Sequence, residues 1–325
     1  MMDAEGRIVA VTRRESLLLA AGIGLLAAGV SQTAAEPVRH RGATMEIPMI
    51  RQFETIRART DDGVLFATFE APPLNLIGPA LVRDLIDLLD DLDRTDEVRV
   101  VVFGSAVREY FLAHVDIAKI TEYTKETGRI GGSVAGSLGG LLRRLSETRQ
   151  VTIAQIEGRA RGGGSEFALA CDMRFAARGR AVFGQIEAGF GSAPGAGGIQ
   201  HLTRLLGRGR AMEVILSSED FDADLAERYG WVNRSMAPAE LGPFVAALAR
   251  RIASFPAAGP YAIKKRINDI ALSPLADVRT DATLFQQTIR EPRAQARTKE
   301  LIEGGMQIDG PLERSFGEAL GRLKS

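Results

Sequence analysis

The run Gly162-Gly163-Gly164-Ser165-Glu166, a few residues after the apolar segment Val151 to Ile156, is where this chain offers chemistry. A strand that gives way to a triple glycine exposes backbone N–H groups. The apolar helix pattern Phe167-Ala168-Leu169-Ala170-Cys171 aims its positive end at the same spot. Such a place can hold a developing oxyanion, and Glu166 in the first turn stands near enough to move a proton while the amides hold the charge. Taken alone, a glutamate at a helix start also serves simply to oppose the dipole. Ser165 has no histidine beside it in sequence and reads as packing rather than a nucleophile. Cys171, the single cysteine, sits in an apolar helix pattern and reads as a small buried residue.

The elements that must position these groups come from a chain of 325 residues, 45% apolar and 25% charged, long enough to bury a large core. Lysine plus arginine and aspartate plus glutamate balance at 41 each, so no global field draws nucleic acid or an anionic membrane. With one cysteine and only His40, His114 and His201, neither an internal disulfide nor a Cys/His metal cluster is expected. Val64 to Glu70 reads as a strand, and Pro79 opens an amphipathic helix through Leu81, Val82, Leu85, Ile86, Leu89 and Leu92. Val98 to Phe103, Val151 to Ile156 and Met173 to Ala177 read as strands alternating with helices, which is an α/β arrangement. The glycine-rich stretch from Thr127 to Gly140 reads as a mobile segment before a helix, and beyond residue 195 the pattern is mostly helical.

The N-terminus differs in kind. Thr12-Arg13-Arg14-Glu15-Ser16-Leu17-Leu18 resembles a twin-arginine export motif, an apolar run to Val30 follows, and Thr33-Ala34-Ala35 offers a cleavage site. The run is short of the roughly 20 residues that span a bilayer, so no membrane is expected for the mature form. The expected organisation is a signal peptide over 1–35, a linker over 36–49, a core over 50–245 and a helical C-terminal region over 246–325. Export to the periplasm follows from that leader; a start at Met45 would give a cytoplasmic protein instead.

Several separate stretches fall in the order of one family. Pro72-Pro73-Leu74-Asn75, Phe111 to Ile117, Gly158 to Glu166 with Cys171-Asp172, Phe183 to Glu187, and Pro194 to Gly198 together resemble the enoyl-CoA hydratase/isomerase superfamily, the crotonases, over roughly residues 50 to 270. The resemblance implies a spiral of ββα units with a helical C-terminal trimerisation region, and a homotrimer or hexamer. It implies syn addition of water to a 2-enoyl-CoA, with the acyl-CoA as substrate and no cofactor or metal. Enoyl-CoA isomerisation or other thioester chemistry is the alternative within the family. A non-catalytic acyl-CoA-binding or scaffold protein is the alternative outside it.

Carried over position by position, the resemblance makes the N–H groups of Val115 and Gly163 the oxyanion donors and Glu166 and Glu187 the catalytic carboxylates. Phe111, Ala113, His114, Asp116, Gly162 and Gly164 are the implied substrate-binding positions, with Asp116 read as capping the segment from Ile117. Two departures stand out. His114 occupies the glycine place of the Ala-Gly-x-Asp pattern, where it either tolerates left-handed geometry as a structural residue or adds a titratable group. The C-terminal pattern Phe285-Gln286-Gln287-Thr288-Ile289-Arg290 differs from the usual CoA-contacting segment, and the basic cluster Lys264-Lys265-Arg266 reads as a solvated helix face.

Overall fold

β-branched and aromatic residues write the first elements: β1 (Ile56–Asp61) and β2 (Val64–Phe69) form a hairpin, and α1 (Pro79–Arg94) starts at its proline. The computed structural model describes residues 51–130 and 136–323. The expected leader, the linker and part of the glycine-rich stretch at 131–135 lie outside these residues. The core begins in the first described elements, as Leu65, Phe69, Leu85 and Leu89 pack into one apolar cluster.

Three successive turns of chain then repeat one plan. β3 (Val100–Ser105) leads to β4 (Tyr110–Leu112), then α2 (Ile120–Thr127) and α3 (Leu138–Glu147). β5 (Val151–Ile156) leads to β6 (Arg159–Arg161) and α4 (Gly163–Ala170), and β7 (Met173–Ala177) leads to β8 (Val182–Gly184) and α5 (Gly198–Leu206). The first strand of each turn joins one sheet and the second joins another. With α6 (Arg208–Ser217), β9 (Phe221–Asp222), α7 (Ala223–Tyr229) and β10 (Arg234–Met236), the sheet orders are β1-β2-β3-β5-β7-β10 and β4-β6-β8-β9. β2, β3, β5, β7 and β10 run parallel, as do β4, β6 and β8. This is the expected α/β spiral of ββα units.

The C-terminal part is helical: α8 (Pro238–Ala253), α9 (Ala258–Ala271), α10 (Leu275–Thr288), α11 (Pro292–Glu303), α12 (Pro311–Arg314) and α13 (Phe316–Arg322). The boundary drawn at 245/246 falls inside α8, which packs Leu241, Val245 and Ala249 on the outer face of the larger sheet. Lys264 departs from the solvated reading: it is buried, its Nζ 2.8 Å from Asp172 and donating to the Gln150 carbonyl at 2.7 Å. Its neighbour Lys265 is exposed and pairs with Asp269. Cys171 is buried, and burial pushes its thiol far above the ordinary range, so it stays an inert packing residue. No helix among the described residues is long and apolar enough to cross a membrane.

Candidate active site

The glycine triplet does three different jobs at the start of α4. Gly162 turns the chain at φ +47°, where an L side chain is strained. A Cβ on Gly163 would lie 2.6 Å from Val115 Cγ1, and one on Gly164 would lie 2.0 Å from the Leu112 carbonyl oxygen. The triplet therefore presses α4 against the 112–115 segment. Phe167 fastens the helix from its other side, its ring centroid 5.2 Å from Phe69 and 5.0 Å from Phe103.

Both expected donors are left free by this packing. The Ile77 N–H donates to the His114 carbonyl at 2.9 Å and the Asp116 N–H donates to the Ile77 carbonyl at 3.0 Å. In a parallel bridge that pattern turns the N–H of the residue between, Val115, away from its neighbour strand. The Gly163 N–H is one of the orphan donors at the head of α4. Neither N–H is bonded to any described residue, and both residues line one cavity of about 250 Å³.

Glu166 and Glu187 line the same cavity, though each is nearly shut off from solvent. Glu166 Oε1 accepts from the backbone N–H groups of Ala196 at 2.7 Å and Gly198 at 2.9 Å, and Glu187 Oε2 accepts from Gln185 Nε2 at 2.9 Å. Neighbouring residues thus hold one oxygen of each carboxylate, and Glu187 also accepts from its own backbone N–H. Burial pushes both groups above the usual carboxylate range, and for Glu166 the charge of Glu187 adds to the rise. Hydrogen bonds to each carboxylate pull the other way without cancelling it. The pair consequently holds a proton near neutral pH, one partner able to give and the other able to take.

Among the remaining expected positions, His114 and Gly162 line the cavity. Phe111, Ala113 and Gly164 are placed behind it: Phe111 packs on Phe69, Ala113 packs with Leu74 and Tyr110, and Gly164 sits against Leu112. Asp116 faces a different hollow and accepts from Gln307 Nε2 at 2.7 Å; it stands at the head of the 3₁₀ turn Ile117–Lys119 but makes no capping hydrogen bond. His114 has no positive φ, so the left-handed explanation for a histidine there does not apply. Ser165 is fully buried, its hydroxyl without a partner and outside the cavity lining, consistent with packing. No group of three or more metal-binding side chains occurs among the described residues.

The structure gives a place to residues for which the sequence assigned no role. Phe285, Gln286 and Ile289 at the end of α10 wall the cavity, with a Cβ on Gly195 only 2.6 Å from Phe285 Cβ. Their i, i+4 spacing was visible, but the segment they cover was not. Tyr123 of α2 is buried and also lines the cavity.

Residues 59–305 match a family model described as Enoyl-CoA hydratase/isomerase. The short-chain-enoyl-CoA hydratase of Clostridium acetobutylicum is 35% identical over 192 residues, covering 59% of this chain and 70% of that protein. The crotonyl-CoA hydratase of Syntrophomonas wolfei is 34% identical over 182 residues, covering 56% and 68%. A solved structure from Streptomyces avermitilis, assigned as a candidate enoyl-CoA hydratase, is 56% identical with a TM-score of 0.83, covering 85% of this chain and 99% of that one.

Proposed function

Because the chain belongs to the enoyl-CoA hydratase/isomerase family, we propose that it adds water across the double bond of a 2-enoyl-CoA thioester. One observation carries the reading: two buried carboxylates and two unpaired backbone N–H groups face a single cavity. The thioester oxygen sits between the N–H groups of Val115 and Gly163, and water sits between Glu166 and Glu187. The ionised carboxylate takes a proton from that water as its oxygen bonds to C3. The displaced π electrons pass to the thioester oxygen as an enolate, and the two N–H groups hold its charge. The protonated carboxyl then gives its proton to C2, on the same face as the added hydroxyl. Atoms and charge balance with the two carboxylates, the thioester and water, and no further cofactor enters.

The partners follow from the same reading. The acyl-CoA is the small-molecule partner, and other copies of this chain are proposed to complete a homotrimer or a hexamer.

Loss of the enoyl-thioester absorbance of crotonyl-CoA tests the function. Glu166→Gln and Glu187→Gln should each lower kcat by at least about 10²-fold, because hydration needs both a proton acceptor and a proton donor. Isomerisation needs one carboxylate to shuttle a proton, so a variant pair in which only one loses activity would favour the isomerase. Acyl-CoA binding by the wild type without turnover of any chain length would favour a binding protein.

A further inference from the structure

His114 does more than fill the place of a glycine. Its ring is buried, with Nδ1 2.7 Å from the Val115 carbonyl oxygen and Nε2 2.9 Å from Glu313 Oε1. A carbonyl only accepts, so Nδ1 carries a hydrogen and donates it. Glu313 is fully buried, and its Oε1 also accepts from the Gln307 N–H at 2.7 Å. Its carbonyl is held by Arg161 Nη1 at 2.7 Å, and Arg161 is itself buried and paired with Asp220 at 2.6 Å. Burial would raise the Glu313 carboxyl, yet the His114 hydrogen bond and charge outweigh it and hold the group low. Phe316 covers the imidazole, ring centroids 5.8 Å apart.

A buried pair of this kind is a poor stabiliser, because both groups lose their water and a matched apolar pair would pack as well. Glu313 even keeps one oxygen, Oε2, without a partner. The arrangement makes better sense through what it touches. Val115 lies between two peptide planes: Ile77 holds the plane that carries the Val115 N–H and grips the next through the Asp116 N–H, and His114 holds that next plane from its other end by the Val115 carbonyl. With both planes held, the N–H can point only into the cavity.

We propose that His114, braced by Glu313 of the C-terminal segment, is a positioning residue that aims the Val115 N–H at the thioester oxygen. The oxyanion site is therefore completed by a segment 199 residues further along the chain, and docking of that segment sets the strength of the site. This rests on the hydration reading for its kinetic consequences, but not for its spectroscopic one.

The test uses the full chain and two probes: turnover of crotonyl-CoA, and the infrared carbonyl band of bound butyryl-CoA isotopically labelled at the thioester carbon. In His114→Ala the band should move back toward its position in the free thioester, and kcat should fall about 10- to 100-fold with KM changed less than about threefold. His114→Asn, whose amide can donate to the Val115 carbonyl, should recover most of both. Glu313→Gln should give a smaller loss in the same direction, and combined with His114→Ala should lose no more than His114→Ala alone. Where His114→Ala does not fold, the band shift in Glu313→Gln decides. An unshifted band in the folded variants, or no recovery with asparagine, overturns the inference. A wild type that polarises the bound carbonyl but hydrates nothing would sink the hydratase reading while leaving this one standing.

Discussion

Glu166 and Glu187 carry a pH signature that follows from their burial. Both are raised above the ordinary carboxylate value by desolvation, so the folded protein binds protons in this pair more tightly than the unfolded chain does. The stability they lend is complete below the unfolded value of about 4.3 and drains away as pH rises through the neutral range to their folded values. Glu187→Gln removes one of these groups, and with it the charge that helps to raise Glu166. Its melting temperature should therefore exceed that of the wild type by more at pH 9 than at pH 5.5. Thermal melts of the two proteins across this range check the sign; a gap that narrows with rising pH would show that the pair is not raised. The same substitution should cost activity, which makes the pair a site where function opposes stability.

At the scale of elements, the contact between α4 and the 112–115 segment sets the distance between the two donors. A Cβ on Gly163 would strike Val115 Cγ1, a side-chain atom, whereas one on Gly164 would strike the Leu112 backbone. Gly163→Ala should therefore leave a folded protein, destabilised by about 1–3 kcal/mol, with kcat down by about 10²-fold as the donors are pushed apart. Adding Val115→Ala removes the struck atom and should restore much of the activity. A double variant no faster than Gly163→Ala would mean that the clash is relieved elsewhere. How much of this was legible depended on element length. The strands Val151–Ile156 and Met173–Ala177 were readable to the residue, because six and five residues suffice for an apolar run between breaks. β4, β6 and β8 have three residues each, too few to show a period, yet they form the second sheet and deliver the chain to the triplet and to Glu187. The grouping of Val115, Gly163, Glu166 and Glu187 came from resemblance to a known pattern. The bond from His114 to Glu313 crosses 199 residues, and no local spacing encodes such a contact.

For the whole molecule, the most telling feature is what the C-terminal helices cover and what they leave bare. The end of α10 walls the cavity with residues of the same chain, so one chain supplies both the carboxylates and the wall. α9, by contrast, leaves Ile263, Ile267 and Ile270 exposed at 62%, 56% and 70%, a stripe at the i, i+4, i+7 spacing of one helix face. Exposed apolar stripes of this kind mark association surfaces, and closed symmetric assembly is the usual way to cover them. The proposed trimer or hexamer should appear in light scattering as three or six times the chain mass. Ile267→Glu should dissociate it, because a carboxylate in the middle of the stripe cannot be buried against a second apolar face without a partner. Since the cavity is walled within one chain, the dissociated protein should keep kcat within about threefold. A wild type that runs as a monomer would remove the stripe as an assembly surface. Dissociation accompanied by loss of all turnover would instead show that a neighbouring chain reaches the site.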